Sequence, residues 1–112
     1  MNKKKLFLLI LSLSCLFMLA SCGQKKPDYT AKEAETALNN GDKIDGKTVS
    51  FTVTDYSPNS AFGYNLMTGK DLNFVSSDNP GVKKGAKVIV KVKEVKSLMG
   101  SWIITYEDLK EE

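Results

Sequence analysis

The 112-residue chain contains no histidine and no arginine; all sixteen basic residues are lysines. Without imidazole it lacks the commonest general base and the commonest metal ligand. Without guanidinium it lacks the planar fork that grips phosphate through two bonds. Its two cysteines, Cys15 and Cys22, are too few for a multi-disulfide framework or a cysteine-built zinc site. A nucleophile–base pair would have to be Ser–Lys or two carboxylates, and no Ser-x-x-Lys set stands in a recognisable context. Asp42 and Asp45 are close in sequence, but Asp42-Lys43-Ile44-Asp45-Gly46 reads as a turn ahead of a strand. A calcium loop needs several more oxygen ligands at regular spacing. The chain reads as a non-enzyme with no metal and no cofactor.

What is present begins with an address. Asn2-Lys3-Lys4-Lys5 is a positive n-region, and Leu6 to Ala20 is an apolar stretch broken only by Ser12 and Ser14. About fifteen residues is short for a membrane span, which needs roughly twenty, and suits a signal-peptide core. The stretch ends in Leu19-Ala20-Ser21-Cys22, which resembles the lipobox of bacterial lipoproteins. The resemblance implies a diacylglyceryl group on the Cys22 thiol and cleavage between Ser21 and Cys22. Two acyl chains suffice for stable anchoring where one does not. The implied location is the extracytoplasmic face of the cell membrane. A lysine- and asparagine-rich chain without arginine also fits an AT-rich genome, and so a Gram-positive cell.

Cleavage there changes the charge balance. The chain from Cys22 onward loses Lys3, Lys4 and Lys5, which leaves thirteen lysines against thirteen carboxylates. The formal charge of +3 therefore belongs to the targeting peptide, and net charge gives no support to nucleic-acid binding. Residues 1–21 read as the signal peptide and 22–29 as a lipidated tether. The five residues Gly23 to Pro27 span about 17 Å when extended, which holds the folded head close to the bilayer. Lys25 and Lys26 fall within reach of anionic headgroups.

The head reads as 30–107, with 108–112 an acidic, solvated tail. Thr30 and Glu33 have capping-box spacing, and Ala31, Ala34, Ala37 and Leu38 form a narrow helical stripe before Gly41. From Lys47 the period changes to two. Val49, Phe51 and Val53 alternate with hydroxyls; Tyr56 to Ser60 has turn chemistry; Phe62, Tyr64 and Leu66 alternate again; and Leu72 to Ser76 makes a third strand. After a polar loop from Ser77 to Gly85, Val88, Val90 and Val92 alternate with lysines until the pattern slips at Glu94-Val95, the mark of a bulge. Trp102, Ile104 and Tyr106 complete a fifth strand.

One short helix before five strands predicts a mainly β fold, a small five-stranded OB-like antiparallel barrel, with an SH3-like barrel as the runner-up. The region from about Ala31 to Tyr106 resembles the OB-like tRNA_anti-like domain of small exported bacterial proteins. It departs from that pattern in the short loop between strands three and four.

OB barrels bind ligands on the outer face of strands two and three and the loops beside it. If Phe62, Tyr64, Leu66, Leu72 and Phe74 fill the core, that face shows Ala61, Gly63, Asn65 and Asn73. It then offers no ring for base stacking, so nucleic acid is disfavoured. Gly63, Asn65 and Asn73, rimmed by Tyr56, Asn59, Ser97 and Met99, become the candidate ligand site. Lys83, Lys84, Lys87, Lys91 and Lys93 form a second feature. They are either a contact for an anionic polymer or headgroups, or protection of an edge strand. The expected role is a membrane-anchored, non-catalytic binding or accessory module with a protein or cell-envelope polymer as partner. The alternatives are a protective surface lipoprotein that blocks a phage or toxin through a membrane protein, and a surface nucleic-acid-binding OB module.

Overall fold

A computed structural model of the chain describes residues 26–112. The lipobox, Cys22 and residues 22–25 of the expected tether lie outside the described residues.

Among the described residues the single helix, α1 (Ala31–Asn39), forms where the capping box predicts it. Thr30 Oγ1 accepts from Glu33 N–H at 3.3 Å, and Thr30 N–H donates to Glu33 Oε1 at 3.0 Å. The helix ends at Asn40. Gly41 then takes a φ of 84°, which lets its N–H reach Leu38 O and lets Asp42 N–H reach Ala37 O. That pair of bonds satisfies the last carbonyls of the helix. Ala34, Ala37 and Leu38 are the buried face.

The described residues hold seven strands: β1 (Tyr29–Thr30), β2 (Thr48–Thr52), β3 (Asp55–Ser60), β4 (Gly63–Thr68), β5 (Leu72–Ser76), β6 (Lys87–Leu98) and β7 (Ser101–Glu111). They form one sheet in the order β1-β2-β6-β7-β5-β4-β3. The mainly β expectation therefore holds, but a closed five-stranded antiparallel barrel does not. The ladder is open, and two of its pairings, β1 with β2 and β5 with β7, are parallel. The first long strand divides at Val53-Thr54. Val53 stays with the β6 side, donating to Ala86 O at 2.9 Å and accepting from Gly85 N–H at 2.7 Å. Thr54 N–H donates instead to Met67 O at 2.9 Å, on the β4 side. The chain thus passes from one side of the sheet to the other within two residues.

Three further differences have local causes. Tyr56 to Ser60 lies in β3 rather than in a turn. Pro58 is tolerated there because β3 is an edge strand, and the register shifts between Ser57 and Ser60. Asp28, expected in the tether, is pinned to the sheet: its Oδ2 accepts from Thr48 N–H, and its own N–H donates to Thr48 Oγ1, both at 2.9 Å. The acidic tail is strand. β7 runs to Glu111, Glu112 N–H donates to Lys87 O, and Leu109 packs on the core. The expected bulge is present in β6, with a register shift between Val92 and Glu94.

The core lies between the helix and one face of the sheet. Val49, Phe51, Leu66, Leu72, Phe74, Val88, Val90, Val92 and Ile104 are buried in it with Ile44. Phe51 and Phe74 stack with ring centroids 4.1 Å apart, and Tyr106 meets Phe74 at 6.3 Å in a tilted contact.

Two outcomes follow. Phe74→Ala removes the ring at the centre of this stack and costs about 3–5 kcal/mol of unfolding free energy, read by urea denaturation. The Asp28 carboxyl titrates below its ordinary value of 3.8, chiefly through the Thr48 backbone N–H. A folded value below the unfolded one stabilises above the ordinary range and loses that effect as pH falls through the folded value. Asp28→Asn should therefore be less stable than the natural chain at neutral pH, and the two should converge in acid.

Candidate functional site

Pleating decides what the outer face carries. With Leu66, Leu72, Phe74 and Ile104 turned to the core, the residues between them turn away. The strand registers arrange those residues in two rows across five strands. One row is Ser57, Asn65, Val75, Thr105 and Glu94; the other is Asp55, Met67, Asn73, Ile103 and Lys96.

This face is not a bland polar surface. Val75 and Ile103 are only 4% and 8% exposed, although neither belongs to the main core cluster. They line a hollow of about 160 Å³ completed by Phe62, Thr105, Glu94 and Lys96. Phe62 is 44% exposed in the turn before β4. It is therefore not a core residue, and Tyr64 is only partly buried. The ring leaves the core because β4 begins after it. Gly63 has a φ of 93°, and a Cβ there would stand 2.6 Å from Ser76 O, so only glycine allows this tight start. Ser60 Oγ secures the turn by donating to Gly63 O at 2.7 Å and accepting from Phe62 N–H at 3.2 Å.

Asn65 and Asn73 are brought together. Asn65 Nδ2 donates to Asn73 Oδ1 at 3.1 Å, and Asn73 Nδ2 donates to Asp71 O and Trp102 O, each at 3.3 Å. These bonds fix both amides. Asn65, expected to be exposed, is 6% exposed, and its Oδ1 is buried without a partner. A buried acceptor left unpaired is costly, and it sits one row position from Val75 at the hollow.

The expected rim does not assemble. Tyr56 turns inward and packs against the core. Asn59 lies at the Ser76 end of the face. Ser97 and Met99 lie at the opposite, Leu72 end, with Met99 97% exposed at the hairpin tip. Sequence reasoning missed Phe62, Val75, Ile103 and Thr105. Val75 and Ile103 were legible as the off-phase apolar residues of their strands, next to Phe74 and Ile104.

The lysines are also placed differently. Lys83 and Lys84 precede β6, and Lys87, Lys91 and Lys93 lie on it; all five are exposed. Yet β6 is an interior strand between β2 and β7, so these lysines protect no edge. Lys87 pairs with Glu112 at 3.6 Å and Lys91 with Glu107 at 4.0 Å, both partly solvated contacts. The far end of β7 thus offsets part of the basic stripe.

Tyr106 has its hydroxyl buried without a hydrogen bond. Burial pushes its pKa up, and the nearby Ser76 hydroxyl, outside bonding geometry, opposes this in part. Among the described residues, no group of three or more His, Cys, Asp or Glu is placed to hold a metal ion. Among the same residues, no helix is long and apolar enough to cross a membrane.

Comparison of the chain with protein-family models, with curated proteins and with solved structures finds no match.

Because Phe62 stands outside the core and only partly covers Val75 and Ile103, Phe62→Ala should cost about 1 kcal/mol of unfolding free energy, well below the cost of Phe74→Ala. Gly63→Ala, one residue on, should be clearly destabilising because its Cβ meets backbone in a left-handed conformation. Paired thermal melts of the two variants check this contrast.

Proposed function

We propose that the chain is a lipid-anchored, extracytoplasmic, non-catalytic binding module whose curled sheet is a partly open OB-type barrel. The barrel reading is supported by strand order. Setting aside the two-residue β1 and counting β2 and β3 as one strand bent at Val53-Thr54 leaves five strands, with β5 parallel to β7 and the bent strand paired to β6 at one end and β4 at the other. The anchoring reading is supported by Leu19-Ala20-Ser21-Cys22 and by the hydrogen bond that ties Asp28, six residues beyond the cysteine, to Thr48.

The observation that carries the binding reading is the outer hollow. It joins two shielded aliphatic side chains and one open ring to the Thr105 hydroxyl and the Glu94 carboxylate, which can accept hydrogen bonds. An occupant that fits has a small apolar body next to an N–H or O–H donor. A protein segment from a membrane neighbour or a cell-envelope polymer can present both. Blocking a phage or toxin through a membrane protein is one biological use of such a surface.

Exposed Phe62 favours a second reading, single-stranded nucleic acid. A stacking platform contributes about 1–3 kcal/mol per base. Against it, Phe62 is a single ring, and Lys96 at the same hollow is accompanied by Glu94.

Intact-mass measurement of the protein from its native membrane tests the anchor. The expected mass is that of a chain beginning at residue 22 with a diacylglyceryl thioether; an unmodified thiol there contradicts it. Titration with single-stranded oligonucleotides at low and moderate salt tests the second reading. No salt-dependent binding is expected, and steep salt dependence lost in Phe62→Ala would put nucleic acid in place of the proposed occupant.

A further inference from the structure

Trp102 and Ile103 are neighbours in β7, and the pleat sends them to opposite sides of the sheet. Ile103 lines the outer hollow. Trp102 packs against the main core and, with Val95 and Leu38, lines a separate cavity of about 270 Å³ where the end of α1 meets β6 and β7. Asp42, Lys43 and Asp45 complete its walls.

Each wall is held in place. The Trp102 indole N–H donates to Asn39 Oδ1 at 3.1 Å, which ties the ring to the last turn of α1. Asp42 N–H is bonded to Ala37 O, and Gly46 N–H donates to Val92 O at 2.8 Å. Between these ties Ile44 is fully buried, so Lys43 and Asp45 flank an anchored residue. The loop from Gly41 to Lys47 is thereby fastened to the helix at one end and to β6 at the other. Asp42 and Asp45 are exposed, and among the described residues neither takes part in an ion pair; those present are Lys87–Glu112 and Lys91–Glu107.

We propose that this cavity is a binding site for an organic ammonium group, distinct from the outer hollow. The chemistry that selects such a ligand is fourfold. The cavity has an apolar floor of Leu38 and Val95 for an alkyl body. It has an aromatic wall, and aromatic rings attract cations through their quadrupole. Its rim carries two carboxylates against one ammonium, so the charge balance favours a cation over an anion. Its walls are preorganised, which removes the ordering cost that weakens small-ligand binding. A quaternary ammonium such as choline and a primary alkylammonium such as a lysine side chain share this chemistry. A neutral isostere satisfies the floor and ignores the rim. The inference does not depend on lipidation or on the outer hollow.

The chain has a single tryptophan, so indole fluorescence, excited beyond the absorption of the four tyrosines, reports on this cavity. The full-length protein, in maltoside micelles whose head groups carry no charge, is titrated with choline, with n-butylammonium and with 3,3-dimethyl-1-butanol, the uncharged isostere of choline. A saturable change with at least one of the two cations, and a much weaker one with the alcohol, is expected. Choline against butylammonium then decides which source fits. Asp42→Asn and Asp45→Asn, both at exposed positions that leave the core intact, should each weaken the cation about 2- to 5-fold, and together about tenfold. Amide shifts at Gly41, Asp45 and Val95 give a second readout that does not rely on the indole. Equal binding of the alcohol, unchanged affinity in the double variant, or no saturable response to either cation by both readouts overturns the assignment.

Discussion

Strand alternation is the constraint from which the rest of the molecule follows. Each strand has two faces, and a core behind only one of them leaves the other to be disposed of. On β4, β5 and β7 the inner set is Leu66, Leu72, Phe74 and Ile104. Committing those side chains inward forces Asn65, Asn73, Val75 and Ile103 outward in register, whatever their polarity. Two of the four are aliphatic, so the outer face cannot be simply wet. It covers them partly with the Phe62 ring and the neighbouring Glu94 and Lys96, which leaves the hollow. The hollow is therefore a consequence of the core and not an addition to it.

That dependence explains which parts were readable from sequence. Periodicity identified the helix, its capping box and the inward faces of the long strands, because burial of alternate residues leaves a direct trace. The slip at Glu94-Val95 was visible for the same reason. Segments whose conformation is set by neighbours were not. Pro58 and Asn59 suggest a turn in isolation, yet they fall in a bulge of the edge strand β3, between the paired Ser57 and Ser60. The acidic run after Glu107 suggests a solvated end, yet Lys87 and Lys91 across the ladder give its charges partners and Leu109 gives it a hold on the core. β1 was hidden because a two-residue strand carries no period.

The site shows the same division. Asn65, Asn73 and Gly63 were legible as outer-face residues. Their meaning changed on folding, because Asn65 is shielded and left with an unmatched acceptor while Gly63 marks a close backbone approach. Phe62 looked like the first member of an alternating set. The glycine after it starts the strand one residue later and frees the ring. A one-residue shift of this kind reverses the face of a side chain, and here it moves an aromatic group from the core to the outer hollow.

The account rests on the Phe62 ring being open while the Phe74 ring is sealed. Paramagnetic relaxation by a neutral, soluble gadolinium chelate compares the two directly. The account predicts strong broadening of the Phe62 ring protons and almost none for Phe74. Equal protection of both rings would place Phe62 in the core and remove the hollow.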